Sequence, residues 1–149
     1  MYKRQSFLLT VPKICPDTPY LEDTPAILFW GDDFMKPYPH QPDIIVPLAD
    51  ERMDLKVKLA SCHECQYFDW MYWPHHTERI EWPREKQVAM LSERYHAGSQ
   101  AEADRLRGKL TDLYGVESAA KIRNVETYEV SEYSGPIDEE FLTIAKSVE

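Results

Sequence analysis

Eight of the chain's eleven prolines fall in one stretch: Pro12, Pro16, Pro19, Pro25, Pro37, Pro39, Pro42 and Pro47. Each removes a backbone donor and its ring clashes with the preceding turn, so no long helix can form between residues 12 and 47. Two short apolar runs survive there, "AILFW" (26–30) and "DIIVPL" (43–48). Their length and β-branched content predict buried strands, with the twelve residues "GDDFMKPYPHQP" as the loop between them. A structureless connection of that length usually has a job.

From Asp50 the pattern turns helical and predicts a helix to about Met71. Leu55, Leu59 and Cys62 form one apolar stripe and Met53, Val57 and Ala60 an adjacent one, which together predict a broad buried face. Pro74 and Pro83 bracket a turn-rich connection. A second helix is expected from Arg84 to about Tyr95, ending near Gly98. A third starts at a capping box, Ser99 with Glu102, continues through Ala103, Leu106, Leu110 and Leu113, and stops at Gly115 as a C-cap. Residues 121–133 are rich in β-formers, but Val125, Tyr128 and Val130 do not share a face, as in a bulged strand. "SGPIDEEFLTIAK" then gives a turn and a last short helix with acids in its first turn. With 149 residues and no internal repeat, the expectation is a single α/β domain over 1–149.

Seventeen Lys and Arg against 26 Asp and Glu give a formal charge of -9. That field repels phosphate backbones, and the densest basic stretch, Arg105 to Lys109, carries three charges, so nucleic acid is not an expected partner. Phe7 to Val11 is too short for the apolar core of a secretion signal, and Pro12 ends it. No stretch approaches the roughly 20 apolar residues that span a bilayer. Three cysteines, Cys15, Cys62 and Cys65, cannot all pair within one chain, and a reduced, cytoplasmic protein is the simplest expectation.

The densest chemistry lies in "SCHECQYFDWMYWPHH" (61–76). Cys62, Cys65, His75 and His76 have the residue types of a zinc site, yet zinc-finger histidines stand three to five residues apart and these are adjacent. The alternative is two buried thiols and two solvated loop histidines. A redox C-x-x-C needs its first thiol at a helix N-terminus, and this pair lies inside the expected helix. On a helical wheel His63, Gln66, Tyr67 and Trp70 share one stripe, either a polar-aromatic seam or the wall of a pocket, and they are the candidate pocket-lining residues. Acidic pairs such as Asp32–Asp33, Glu126 with Glu129, and Glu139–Glu140 fit solvated faces or caps in so acidic a chain. Neither a P-loop, nor a dinucleotide-binding glycine turn, nor a G-x-S-x-G elbow is present.

Three segments in order, "PDIIVPL", "KVKLASCHECQYFDWMYW" and "AAKIRNVETYEVSEYSG", resemble the C-terminal portion of the PIG-L (LmbE-like) zinc-dependent N-deacetylases. The matching positions are Pro42 and Asp43; Lys58, His63, Gln66, Tyr67 and Trp70; and Glu126, Tyr128, Glu129, Glu132 and Tyr133. The sequence departs from the family at Cys65, where a serine is usual, at Asn124 and Val125, and at Ser134. The resemblance implies a partial Rossmann-like three-layer domain with few strands and three to four helices. It also implies descent from an enzyme that removes the N-acetyl group of an amino sugar. Family members hold zinc through an Ala-His-Pro-Asp-Asp motif and a later His, with an Asp of the first motif as base. "PHQPDI" (39–44) and "WPHHTE" (73–78) imitate these motifs, but neither fits their pattern or position. The expectation is a chain with no catalytic residue, metal ligand or cofactor of its own, zinc belonging to the full-length family. As a truncated or split hydrolase it would be inactive alone, with strands 26–30 and 43–48 uncovered and open to self-association or a complementary N-terminal half. The alternatives are a non-catalytic intracellular binding module, using the proline-rich loop and the His63 stripe to hold a small molecule such as an amino sugar, or a small zinc-binding protein through Cys62 and Cys65.

Overall fold

The computed structural model describes residues 10–11, 16–31, 35–72 and 75–146; Cys15, the Asp32–Asp33 pair and Pro74 lie outside the described residues. The chain is mixed α/β, as its patterning predicts. Strands β1 (Leu28–Trp30), β2 (Ile44–Leu48) and β3 (Asn124–Val130) form an antiparallel sheet in the order β1-β3-β2. Two compact units divide the chain, one from residues up to 46 together with 126–148, the other from 47–125.

In the first unit, Leu28, Phe29 and Trp30 stand opposite Val130, Glu129 and Tyr128. The amides of Ser131 and Gly31 continue this ladder, bonding the carbonyls of Ile27 at 2.9 Å and Thr127 at 3.3 Å. Asp43 sets the other edge: its amide donates to the Tyr128 carbonyl at 2.9 Å, and its carboxylate accepts from the Val130 amide at 2.8 Å. Ile44, Ile45 and Val46 are 6%, 2% and 7% exposed. Three consecutive buried residues mean that both faces of β2 are covered, which corrects the expectation of an open face on 43–48. Exposed apolar surface in this unit includes Trp30, at the end of β1. A last helix, Glu139–Lys146, follows Asp138, whose carboxylate accepts from the Phe141 amide at 2.7 Å as an N-cap.

The second unit is helical. Helix α1 (Asp50–Ser61) carries Asp50 and Glu51 in its first turn, where acids complement the helix dipole. It buries Met53, Val57 and Ala60 and turns the Leu55, Leu59 and Cys62 stripe outward, with Leu59 60% exposed. The expected broad buried face is thus corrected to the narrower Met53, Val57 and Ala60 stripe. The choice follows the core that Val57 and Ala60 form with Phe68 and Leu91, flanked by Tyr67, Val88 and Tyr95.

The first expected helix stops at Ser61, well before Met71. The amides of Cys62 and His63 reach back only to Leu59 and Ala60, tightening the last turn. The chain then re-coils as a π-helical turn, Cys65–Asp69, and a 3-10 turn, Trp70–Tyr72.

The second and third expected helices are merged differently. Helix α2 runs unbroken from Arg84 to Arg105 through Gly98 and Ser99. Ser99 caps nothing: its hydroxyl donates to the Val125 carbonyl and accepts from the Val125 amide, both at 2.9 Å. A tertiary partner has taken the hydroxyl that local pattern assigned to a cap. The break comes instead at Leu106, before α3 (Arg107–Tyr114), which ends at Gly115 as predicted, with φ 77° and ψ 160°. Ala103, Leu106 and Leu110 are buried, while Leu113 is half exposed. Helix α4 (Val116–Lys121), which the sequence patterning leaves unassigned, is closed by Arg107, whose guanidinium donates to the carbonyls of Ala119 and Ile122. The C-terminal helix Glu139–Lys146 is α5. Among the described residues no helix is long and apolar enough to cross a membrane.

Candidate functional site

The π-helical turn decides which aromatic residues face inward. In an unbroken helix His63, Gln66, Tyr67 and Trp70 would share a stripe. The interruption at His63 and the wider turn reset the phase, so Phe68, only 1% exposed, becomes the core residue and Arg84 stacks over its ring at 4.1 Å. Tyr67 is left half-buried beside it, edge-on to Tyr95, and its hydroxyl accepts from that of Tyr95 at 2.7 Å. His63, Gln66 and Trp70 are exposed, Trp70 to 65%.

Tyr67 forms part of the wall of a cavity of about 500 Å³ within the helical unit. Met71 and the buried Tyr72 continue that wall from the 3-10 turn. The opposite wall is one face of α2, where Met90, Arg94 and Ala97 recur at helical spacing, with Leu91 and Glu93 beside them. His76 and Arg79 close the end. Of the four residues that the helical stripe selects, the structure brings Tyr67 to this cavity; the other three are not among its lining residues.

The charge in the cavity comes from residues that the sequence patterning did not single out. Arg79 is held at both ends. Its carbonyl accepts from the amide of the buried Gln87 side chain at 2.8 Å, and its guanidinium lies 5.9 Å from the Tyr72 ring and 5.6 Å from that of Trp82. Burial pushes the Tyr72 phenol above its ordinary value, with Arg79, Arg94 and Arg84 pulling the other way, so it stays a neutral hydroxyl near pH 7. Arg79 and Arg94 stand far apart in sequence and share no motif. The readable signal was the 90/94/97 repeat, which alone also describes an ordinary amphipathic face.

The structure does not bring the four candidate zinc ligands Cys62, Cys65, His75 and His76 together. Cys62 and Cys65 are exposed free thiols, and His75 and His76 are exposed in the following loop. Among the described residues no group of three or more His, Cys, Asp or Glu side chains is arranged to hold a metal ion.

The first unit has a polar cluster of its own, beside a depression of about 260 Å³. Glu129 accepts from the Tyr38 hydroxyl and from the Gln41 amide, each at 3.0 Å. Its carboxylate lies 3.7 Å from Nδ1 of His40, whose Nε2 is 3.2 Å from Oγ1 of Thr127. This has the outline of a carboxylate–imidazole–hydroxyl relay. Thr127 is only 6% exposed, however, and Gly31 packs so close that a Cβ there would meet its Oγ1 and the His40 ring at 3.1 to 3.3 Å. The hydroxyl is closed to a substrate, and the cluster ties the loop at 38–41 to β3. Comparison with protein-family models, with curated proteins and with solved structures finds no match.

Proposed function

We propose that this chain is a PIG-L-like segment corresponding to the C-terminal portion of an amino-sugar N-deacetylase, inactive as an isolated hydrolase. In this reading it is one part of a Rossmann-like three-layer domain in an intracellular protein. The observation that carries the reading is the return of Tyr67, common to the family-like segment and the helical stripe, in a cavity wall. The cavity volume falls within the roughly 300–1,000 Å³ of small-molecule sites. Asp43 supports it too: the Pro-Asp start of the family-like strand serves here to pin β2 against β3. The outward Leu55 and Leu59 of α1 offer apolar surface for self-association or for a complementary half.

The purified chain, given N-acetylglucosamine conjugates and added zinc, should release no acetate above the protein-free blank. Metal-dependent acetate release by the chain alone would overturn the proposal. A second reading, a non-catalytic binding module, is favoured by the same cavity, because it is already formed and carries its own polar groups.

A further inference from the structure

We propose that the cavity between the Tyr67–Tyr72 segment and α2 binds a compact small molecule with an apolar body and one anionic group, a carboxylate or a phosphate monoester. The inference deepens the binding-module reading and is independent of the deacetylase one. Arg79 is the first reason. Its Nε is buried and has no hydrogen-bond partner among the described residues, although the exposed Glu78 carboxylate forms a solvent-screened ion pair with it at 3.7 Å. The side chain as a whole is 29% exposed, so the outer N–H groups of its guanidinium are the donors that a ligand oxygen can reach. Because Tyr72, Trp82 and Gln87 hold this residue in place, it loses little freedom on binding.

Arg94 is the second. Its guanidinium meets the thioether of Met71 at 4.0 Å, a weak acceptor, and no carboxylate among the described residues lies within ion-pair reach. Two guanidinium forks around one cavity suit planar or tetrahedral oxyanions, which they can engage through paired N–H donors. Tyr67 adds a hydroxyl whose oxygen accepts from Tyr95, which leaves its own hydrogen to donate to a ligand. Glu93 sets the charge of the ligand. It lines the cavity beside Arg94, while Glu78 pairs with Arg79 from the exposed side, so the walls favour a single anionic group held by the guanidinium donors over a polyanion. Met71, Met90, Leu91 and Ala97 supply the apolar remainder, the thioethers adapting to an irregular ring or chain.

Calorimetric titration at low salt with phenylacetate, phenyl phosphate and the neutral 2-phenylethanol tests this. Both anions should bind saturably at one site, their ranking telling carboxylate from phosphate, and the alcohol should bind about tenfold more weakly or worse. Arg94 is exposed, so R94Q should keep its far-ultraviolet spectrum while weakening both anions about tenfold. Glu93→Gln, also on the exposed side of α2, should tighten them. Absence of saturable anion binding, or anion binding unchanged in both variants, would sink the proposal. Equal binding of the alcohol would also overturn the anionic ligand while leaving the cavity as a binding site, and acetate release would leave both questions untouched.

Discussion

Gln87 is 3% exposed on a helix whose mean character is polar, and it is there for its two donors. Its Nε2 reaches the carbonyls of Arg79 at 2.8 Å and Ile80 at 3.2 Å, closing the turn that carries the arginine into the cavity. Truncation leaves those carbonyls short of a partner. Gln87→Ala should therefore cost about 1–3 kcal/mol, read as a lower midpoint in urea denaturation with an unchanged slope. Tyr67 was legible as a candidate for the cavity wall because it belongs to both a helical stripe and a family-like segment. Gln87 and Arg79 were not, since a buried glutamine and a loop arginine acquire their roles only from partners that folding brings to them.

At the level of elements, Gly115 shows what local pattern reads well. A glycine just past a periodic apolar run predicts a helix stop, and φ 77° with ψ 160° is a conformation that other residues adopt at about 1–3 kcal/mol each. Nothing lies within 4 Å of a Cβ placed there, so the cost of Gly115→Ala should be purely conformational. The variant should lose about 1–3 kcal/mol of thermal or denaturant stability, and Gly115→Val should lose more through its branched side chain. The strands between the prolines and in the β-rich run at 121–133 were legible as elements, but β1 is shorter than the run 26–30 and, with Trp30 60% exposed, is not the buried strand expected. What pattern could not supply was phase. A steady helical period across His63 grouped His63 and Gln66 with Tyr67, whereas the π-helical turn gives the inward position to Phe68. Likewise the capping box at Ser99 was sound local chemistry, overridden by the backbone of Val125.

Across the molecule, burial also acts on protons. Tyr72, Tyr114 and Tyr128 all have phenols raised above the ordinary value near 10, each chiefly by burial, with Glu126 adding to the effect at Tyr128. The unfolded chain therefore gives up these protons at a lower pH than the folded one. Below pH 10 both states keep them and no stability is lost; above it the unfolded state is favoured, and stability falls as pH climbs toward the raised folded values. Urea midpoints measured from pH 8 to 11 should drop at the alkaline end, and Tyr114→Phe should shallow the drop. A flat profile would contradict the burial of these rings. The bond pair between Ser99 and Val125 carries a different kind of information. Strand amides ordinarily exchange with solvent hydrogen when a neighbouring strand parts from them, but the Val125 amide is held by a hydroxyl in the middle of a helix. Its exchange rate thus clocks the undocking of α2 from the first residues of β3, making one strand proton the natural gauge of a helix.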